Sequence, residues 1–324
     1  MRHDPRIPEI LPLELTANRP LWSVMIPVYN CLSFLSQTLL SVLQQAHEVH
    51  AMEIVVVDDC STDGNVHELV ERLGNGRIKY FCQEQNVGSL KNFETCLNRS
   101  KGKFIHLLHG DDFVLPGYYN KMTELFENHP EVGAACCRIR YVDQDGKFLN
   151  HDLAERSQDG VLENWLCKIS RRQRLQYCAV SVKREVYETV GGFFGVHYGE
   201  DWEMWARIAT RYSYAYSPEI LACYRRHLQS ISGNSVNSGQ HVTDINQVIN
   251  TISNYVPANI QGATRTAARK FYGRVIMTKA FSIWNNSKNR AYAVKMSREA
   301  FKFNPEPYLI WRRLWLEIKM LLNH

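Results

Sequence analysis

The chain has 324 residues, 45% hydrophobic and 22% charged, which suits an ordinary globular protein with a large core and leaves no room for a fibrous or disordered class. Its apolar runs are strand-sized, well short of the roughly 20 residues that cross a bilayer, so no transmembrane helix is predicted. The net charge of +5 is uneven: residues 263–324 carry 13 Lys and Arg against 3 acids, and the remainder carries 25 against 30, a net of −5.

The N-terminus, Met1 to Pro8, has charge and proline where a secretory leader would be apolar. Nine scattered cysteines form neither a disulfide framework nor a Cys-x-x-Cys metal spacing. Both features predict a cytoplasmic chain with free thiols. Residues 1–20 read as an extension. From Leu21 to about Val142, strands are predicted over 21–28, 53–58, 78–82, 103–108 and 132–141. Helices are predicted between them, over about 32–45, 65–73, 89–99 and 117–128. Such alternation is the pattern of βαβ units, an α/β fold with a mixed, mostly parallel sheet flanked by helices.

Residues 143–160 are polar, with an Asp145-Gly146 turn. A strand near 177–183 follows, then a helix from Arg184, a turn at Gly191-Gly192-Phe193, and a helix that begins with Glu200 and Asp201. Beyond about Gly239 the pattern is helical only, interrupted at Pro257, Pro305 and Pro307. We therefore place a boundary near 235, dividing a catalytic region, 21–235, from a basic helical region, 236–324. The catalytic region falls into halves, 21–142 and 143–235.

Three apolar runs end in polar or acidic residues: Ser23 to Asn30, Val55 to Gly64, and the run that ends in His109-Gly110-Asp111-Asp112. In an open α/β sheet, ligands bind beyond the carboxyl ends of the strands, so the three endings mark one shared pocket. Adjacent carboxylates repel unless a cation joins them, which points to Mg²⁺ or Mn²⁺ at Asp111-Asp112, held by oxygen ligands and shared with phosphates. Asp63, before Gly64, reads instead as a cap or turn residue. Asp201, at a helix N-terminus, is either a general base or an ordinary helix-start acid. His227, after Arg225-Arg226, is either a structural histidine or a phosphate or metal contact.

Taken in order, these segments, with Asn86-Val87-Gly88, Lys91-Asn92, Gly199 to Trp205 and Tyr224 to His227, resemble the family-2 glycosyltransferases of the GT-A (Rossmann-like) fold, the inverting type that builds bacterial surface polysaccharides. The resemblance covers about residues 20–235. It implies that Pro27, Tyr29 and Asp59 hold the nucleotide base, and that Asn86, Gly88 and Lys91 lie along the nucleotide or donor sugar. It also implies that Asp111 and Asp112 contact ribose and metal, that His227 contacts the metal or diphosphate, and that Asp201 is the base. The first acid of the family's Asp-x-Asp-Asp motif is His109 here.

The expected function is metal-dependent, inverting transfer of a sugar from a UDP- or dTDP-linked donor to a saccharide or lipid-linked saccharide. The loops near 143–175 and 192–199 would choose the acceptor. The rival readings are a sugar nucleotidyltransferase, which would want a Gly-rich basic loop after the first strand, and a nucleotide-sugar-binding scaffold without turnover. In the tail, Trp311, Leu314, Trp315, Ile318, Leu321 and Leu322 recur at helical spacing. With the basic charge and Trp284, this stripe favours an anionic membrane surface over nucleic acid, at the inner face of the cell membrane. The alternative is packing on the catalytic region or in a homo-oligomer.

Overall fold

The computed structural model describes residues 5–14, 19–46 and 51–322. The first half alternates strand and helix: β1 (Trp22–Val28), α1 (Leu32–Leu43), β2 (Met52–Asp58), α2 (Val66–Gly74), β3 (Ile78–Cys82), α3 (Ser89–Arg99), β4 (Phe104–Leu107), β5 (Phe113–Val114), α4 (Tyr118–Asn128) and β6 (Ala134–Val142). Next come β7 (Phe148–His151), β8 (Gly160–Val161), α5 (Trp165–Ile169), β9 (Val180–Lys183), α6 (Arg184–Val190), α7 (Glu200–Ile208) and β10 (Tyr214–Arg225). Five helices finish the chain: α8 (Ile231–Ser238), α9 (Gln240–Ser253), α10 (Ala258–Ser287), α11 (Arg290–Phe303) and α12 (Pro307–Leu322).

The sheet runs β3-β2-β1-β4-β9-β6-β10-β5, with β7 beside β6 and β8 beside β10. Its first four strands pair in parallel. Strand β9 is antiparallel to both β4 and β6, and β10 is parallel to β6, so β1, β2, β3, β4, β6 and β10 all point the same way. Their carboxyl ends, with the loops that follow, therefore lie on one edge, where the expected pocket belongs.

Alternation along the strands sorts the core into two faces. Val24, Ile26 and Val28 of β1 pack with α1, α2 and α4, while Met25 joins the cluster that holds Phe93, Trp202 and Trp205. That second cluster continues without a break through α9 and α10 to Leu316 and Met320 of α12, so the C-terminal helices share the catalytic region's core. Pro257 and Pro307 mark helix starts, as a residue with fixed φ and no N–H should.

One buried cation ties the N-terminal strap to this frame. Arg184 is fully buried, donates to the carbonyls of Leu97, Ser100 and Leu11, and pairs with Glu188 at 2.9 Å. Arg184→Met is expected to destabilise the fold by about 3 kcal/mol, because two buried carbonyls, a part-buried one and a carboxylate lose their donor. A urea melt checks this; an unchanged midpoint would show that the strap is dispensable.

Candidate active site

The carboxyl edge opens into two adjoining cavities of about 700 and 610 Å³. The first lies between the ends of β1, β2 and β4 and the start of α3. The second lies between α7, the end of β10 and α10. They share His109, Asp111, His197 and His227 as a common wall.

The floor of the first cavity is set by close approach. A Cβ on Gly110 would meet Cys31 Sγ at 2.8 Å and Val28 Cγ2 at 3.1 Å, so glycine lets the 109–112 loop lie against the end of β1. The buried Thr38 hydroxyl lies 2.9 and 2.6 Å from the carbonyl oxygens of Gly110 and Asp112, fixing that loop to α1. Pro27 and the half-exposed Tyr29 form one rim.

Asp59, buried after β2, accepts from the Val87 N–H at 2.8 Å, the Gly88 N–H at 3.0 Å and Asn86 Nδ2 at 3.0 Å. Burial raises its pKa against the two backbone bonds. Its carboxylate thus shapes the 86–88 turn, where Gly88 takes φ +83°. Asp58 accepts from Ser61 and Tyr80 and faces its own turn. Asp63 accepts from the Leu32 N–H at 2.8 Å and caps α1 from a neighbouring loop. Lys91 stands on the exposed side of α3, paired with Glu94 at 2.7 Å and outside both cavity walls.

The two adjacent acids separate. Asp111 faces the shared wall, where its Oδ2 lies 2.9 Å from His227 Nε2. Burial alone would raise its carboxyl; the His227 hydrogen bond and the two nearby imidazoles reverse that and hold it below the usual range. Asp112 is 1% exposed, lines neither cavity, and accepts from the Arg225 N–H at 2.8 Å. Burial and the Asp111 charge push its carboxyl well up. Arg225 is equally inward, donating to the Asp111, Asp143 and Gln144 carbonyls. Arg226 instead lines the second cavity, over the Tyr141 ring at 3.9 Å.

Asp111 and His227 therefore face the cavities as the two candidate ligands, and Asp112 faces away from them. Among the described residues no group of three or more His, Cys, Asp or Glu gathers as a metal cluster. Two ligands suit an octahedral Mg²⁺ or Mn²⁺ completed by phosphate oxygens and water.

Asp201 lies on the wall of the second cavity, in the first turn of α7. Burial pushes its carboxyl up to about 7, against bonds from the Trp202 N–H and the Gln173 amide. Glu200 is driven higher, by burial and then by the Asp201 charge, and accepts from the Tyr177 hydroxyl at 3.2 Å. Tyr177 in turn stacks on His109 at 4.2 Å. A buried Glu203–Arg207 pair anchors α7, with Arg207 donating to the Gly192 carbonyl of the glycine turn.

Other wall residues include Gln173, His197 and Tyr198, from the two loops expected to choose the acceptor, and Tyr272 and Lys279, which have no counterpart among the expected ones. Tyr272, Val275 and Lys279 of α10 recur at helical spacing on one face, a signal present in the sequence but indistinguishable there from core packing.

Comparisons with known proteins agree with this fold. The family model described as "Glycosyl transferase family 2" matches residues 23–210. The protein MT1568 of Mycobacterium tuberculosis is 30% identical over 231 residues, covering 64% of this chain and 68% of its own. Among solved structures, S. aureus TarS in complex with UDP-GlcNAc superposes with a TM-score of 0.66 at 17% identity, over 90% of this chain and 87% of that one. The mannosyltransferase PcManGT of Pyrobaculum calidifontis, solved with GDP-Man and Mn²⁺, gives 0.55 at 18% identity, over 94% and 88%. With the strand order, the glycine-floored pocket and the family match in agreement, this chain belongs to glycosyl transferase family 2 and is a glycosyltransferase.

Proposed function

We propose that this chain catalyses inverting, metal-dependent transfer of a sugar from a nucleoside diphosphate sugar to a hydroxyl of a saccharide or lipid-linked saccharide. The observation that carries the reading is the pair of adjoining cavities: Asp111 and His227 stand on their shared wall, and Asp201 stands only in the second. A UDP- or dTDP-linked donor fits the first cavity, and a uridine donor is what TarS holds in its complex.

In this reading Tyr29 covers the base, and Asp59, together with the 86–88 turn it holds, reads its edge. Asp111 and His227 would hold the divalent cation. When bound, that cation offsets the negative charge of the diphosphate. Asp201, with a pKa near working pH, takes the proton of the acceptor hydroxyl. The acceptor oxygen bonds to the anomeric carbon on the face opposite the diphosphate, the bond to the diphosphate oxygen breaks, and configuration inverts. Arg226 and Lys279 bring two cations to the acceptor side, which suits an acceptor that carries phosphate.

Thermal melts with UDP-sugars and Mn²⁺ test this. A true donor at a hundredfold excess over Kd should stabilise the fold by about 2.7 kcal/mol, and chelator should remove most of that shift. Donor hydrolysis should accompany the shift. Consumption of a nucleoside triphosphate with release of pyrophosphate would make the chain a nucleotidyltransferase, and a donor bound but never turned over would make it a scaffold.

A further inference from the structure

Apart from Tyr308 and the Glu317 carboxylate, the side chains of α12 that stand in solvent are apolar. Six of them, Trp311, Leu314, Trp315, Ile318, Leu321 and Leu322, carry the stripe visible in the sequence, with Trp311 59% and Trp315 46% exposed. Leu309, Leu316 and Met320, on the opposite side, are buried in the core shared with α10 and α11. At 3.6 residues per turn the exposed arc spans about 160° of the helix. Its charged residues flank the arc: Arg312 over the Phe281 ring and Lys319 on Asn285 along one side, the Arg313–Glu317 pair along the other. Packing on the chain's own core therefore uses the other face of α12 and leaves this one uncovered.

We infer that α12 seats the protein on the surface of an anionic lipid bilayer, with its apolar arc at the acyl boundary. Charge complementarity selects this partner over a second copy. The region from 263 to 324 carries 13 basic residues against 3 acids, and two such surfaces placed face to face would repel, whereas anionic headgroups attract them. The exposed basic residues of α10, α11 and the link between them include Lys270 and Arg274, which share Glu306, and Lys288, Arg290, Lys295 and Arg298. Indole rings suit the boundary because one edge is apolar and the N–H stays wet. The helix lies on the bilayer and does not enter it, since no described helix is long and apolar enough to cross one.

The test floats the full chain with vesicles of phosphatidylcholine, alone or mixed with phosphatidylglycerol. Binding is expected to the mixed vesicles, and about tenfold or more weaker both to phosphatidylcholine alone and in high salt. The double variant Trp311→Ala/Trp315→Ala should lose about tenfold or more of that affinity while keeping its melting temperature and its donor hydrolysis in solution. In the unaltered protein, brominated lipids should quench tryptophan fluorescence, a readout that needs no variant. Absence of both flotation and quenching overturns the proposal. A dimer dissolved by the double variant, in a chain that ignores vesicles, also overturns it and assigns the face to a second copy. No nucleotide sugar enters the flotation or quenching assays, so their failure leaves the catalytic reading standing.

Discussion

Asp201→Asn should bind donor as the unaltered chain does and turn over about 10²-fold more slowly or worse. Asparagine nearly matches aspartate in shape and can still accept from the Trp202 N–H, so the first turn of α7 and the Gln173 contact zone should hold. What it cannot do is accept a proton. Donor affinity, measured by thermal shift or calorimetry, reports the first cavity, and acceptor-dependent product formation reports the second.

The pH profile separates a base from a merely structural acid. With Asp201 raised to about 7 by burial, the ionised fraction rises tenfold per pH unit below that value and levels off above it. Single-turnover rates should follow that curve, climbing from pH 5 to 7 and flattening beyond, and the variant's residual rate should lose the dependence. An unchanged rate in the variant would move the proton to another group, with Glu200 on the same turn the next to replace.

Much of this architecture was legible because the strands that build the site are buried on both faces. The run Ile54 to Val57 is wholly apolar and stops at Asp58, so both the strand and the edge where it ends can be read from the sequence. The unlabelled stretches fail for physical reasons. Strands β5 and β8 have two residues each, too few for any period. Strand β10 carries Ser217-Pro218-Glu219 at a register shift against β6, which breaks the alternation a long strand would otherwise show. Tyr272 and Lys279 reach the second cavity from a helix about 70 residues beyond Asp201, a placement that only tertiary packing reveals.

Sequence also could not say which way each member of an acidic pair points. Asp111 and Asp112 look alike in a strand-end motif, yet on the tight turn closed by the Asp112 N–H on the His109 carbonyl their side chains leave in different directions. One meets His227 across the cavity wall, and the other meets the Arg225 backbone behind it. The same holds for Lys91, which the family resemblance sets along the donor while its ammonium sits with Glu94 on the exposed side of α3.

The separation of the pair makes a sharp prediction. Asp111→Asn keeps an oxygen for the His227 Nε2–H but removes the carboxylate charge from the shared wall, and Mn²⁺-dependent transfer should fall by about 10³-fold, the several kcal/mol that a bound cation contributes. Asp112→Asn keeps the acceptor that meets the Arg225 N–H and should retain metal-dependent turnover within a few-fold. Asp112→Ala orphans that buried N–H instead and should lower stability by about 1–3 kcal/mol, visible as an earlier urea midpoint with or without metal present. Measuring Mn²⁺ affinity in the two asparagine variants decides the matter. If both lose metal to the same degree, Asp112 turns into the cavity when the cation binds, and the two-ligand assignment to Asp111 and His227 fails.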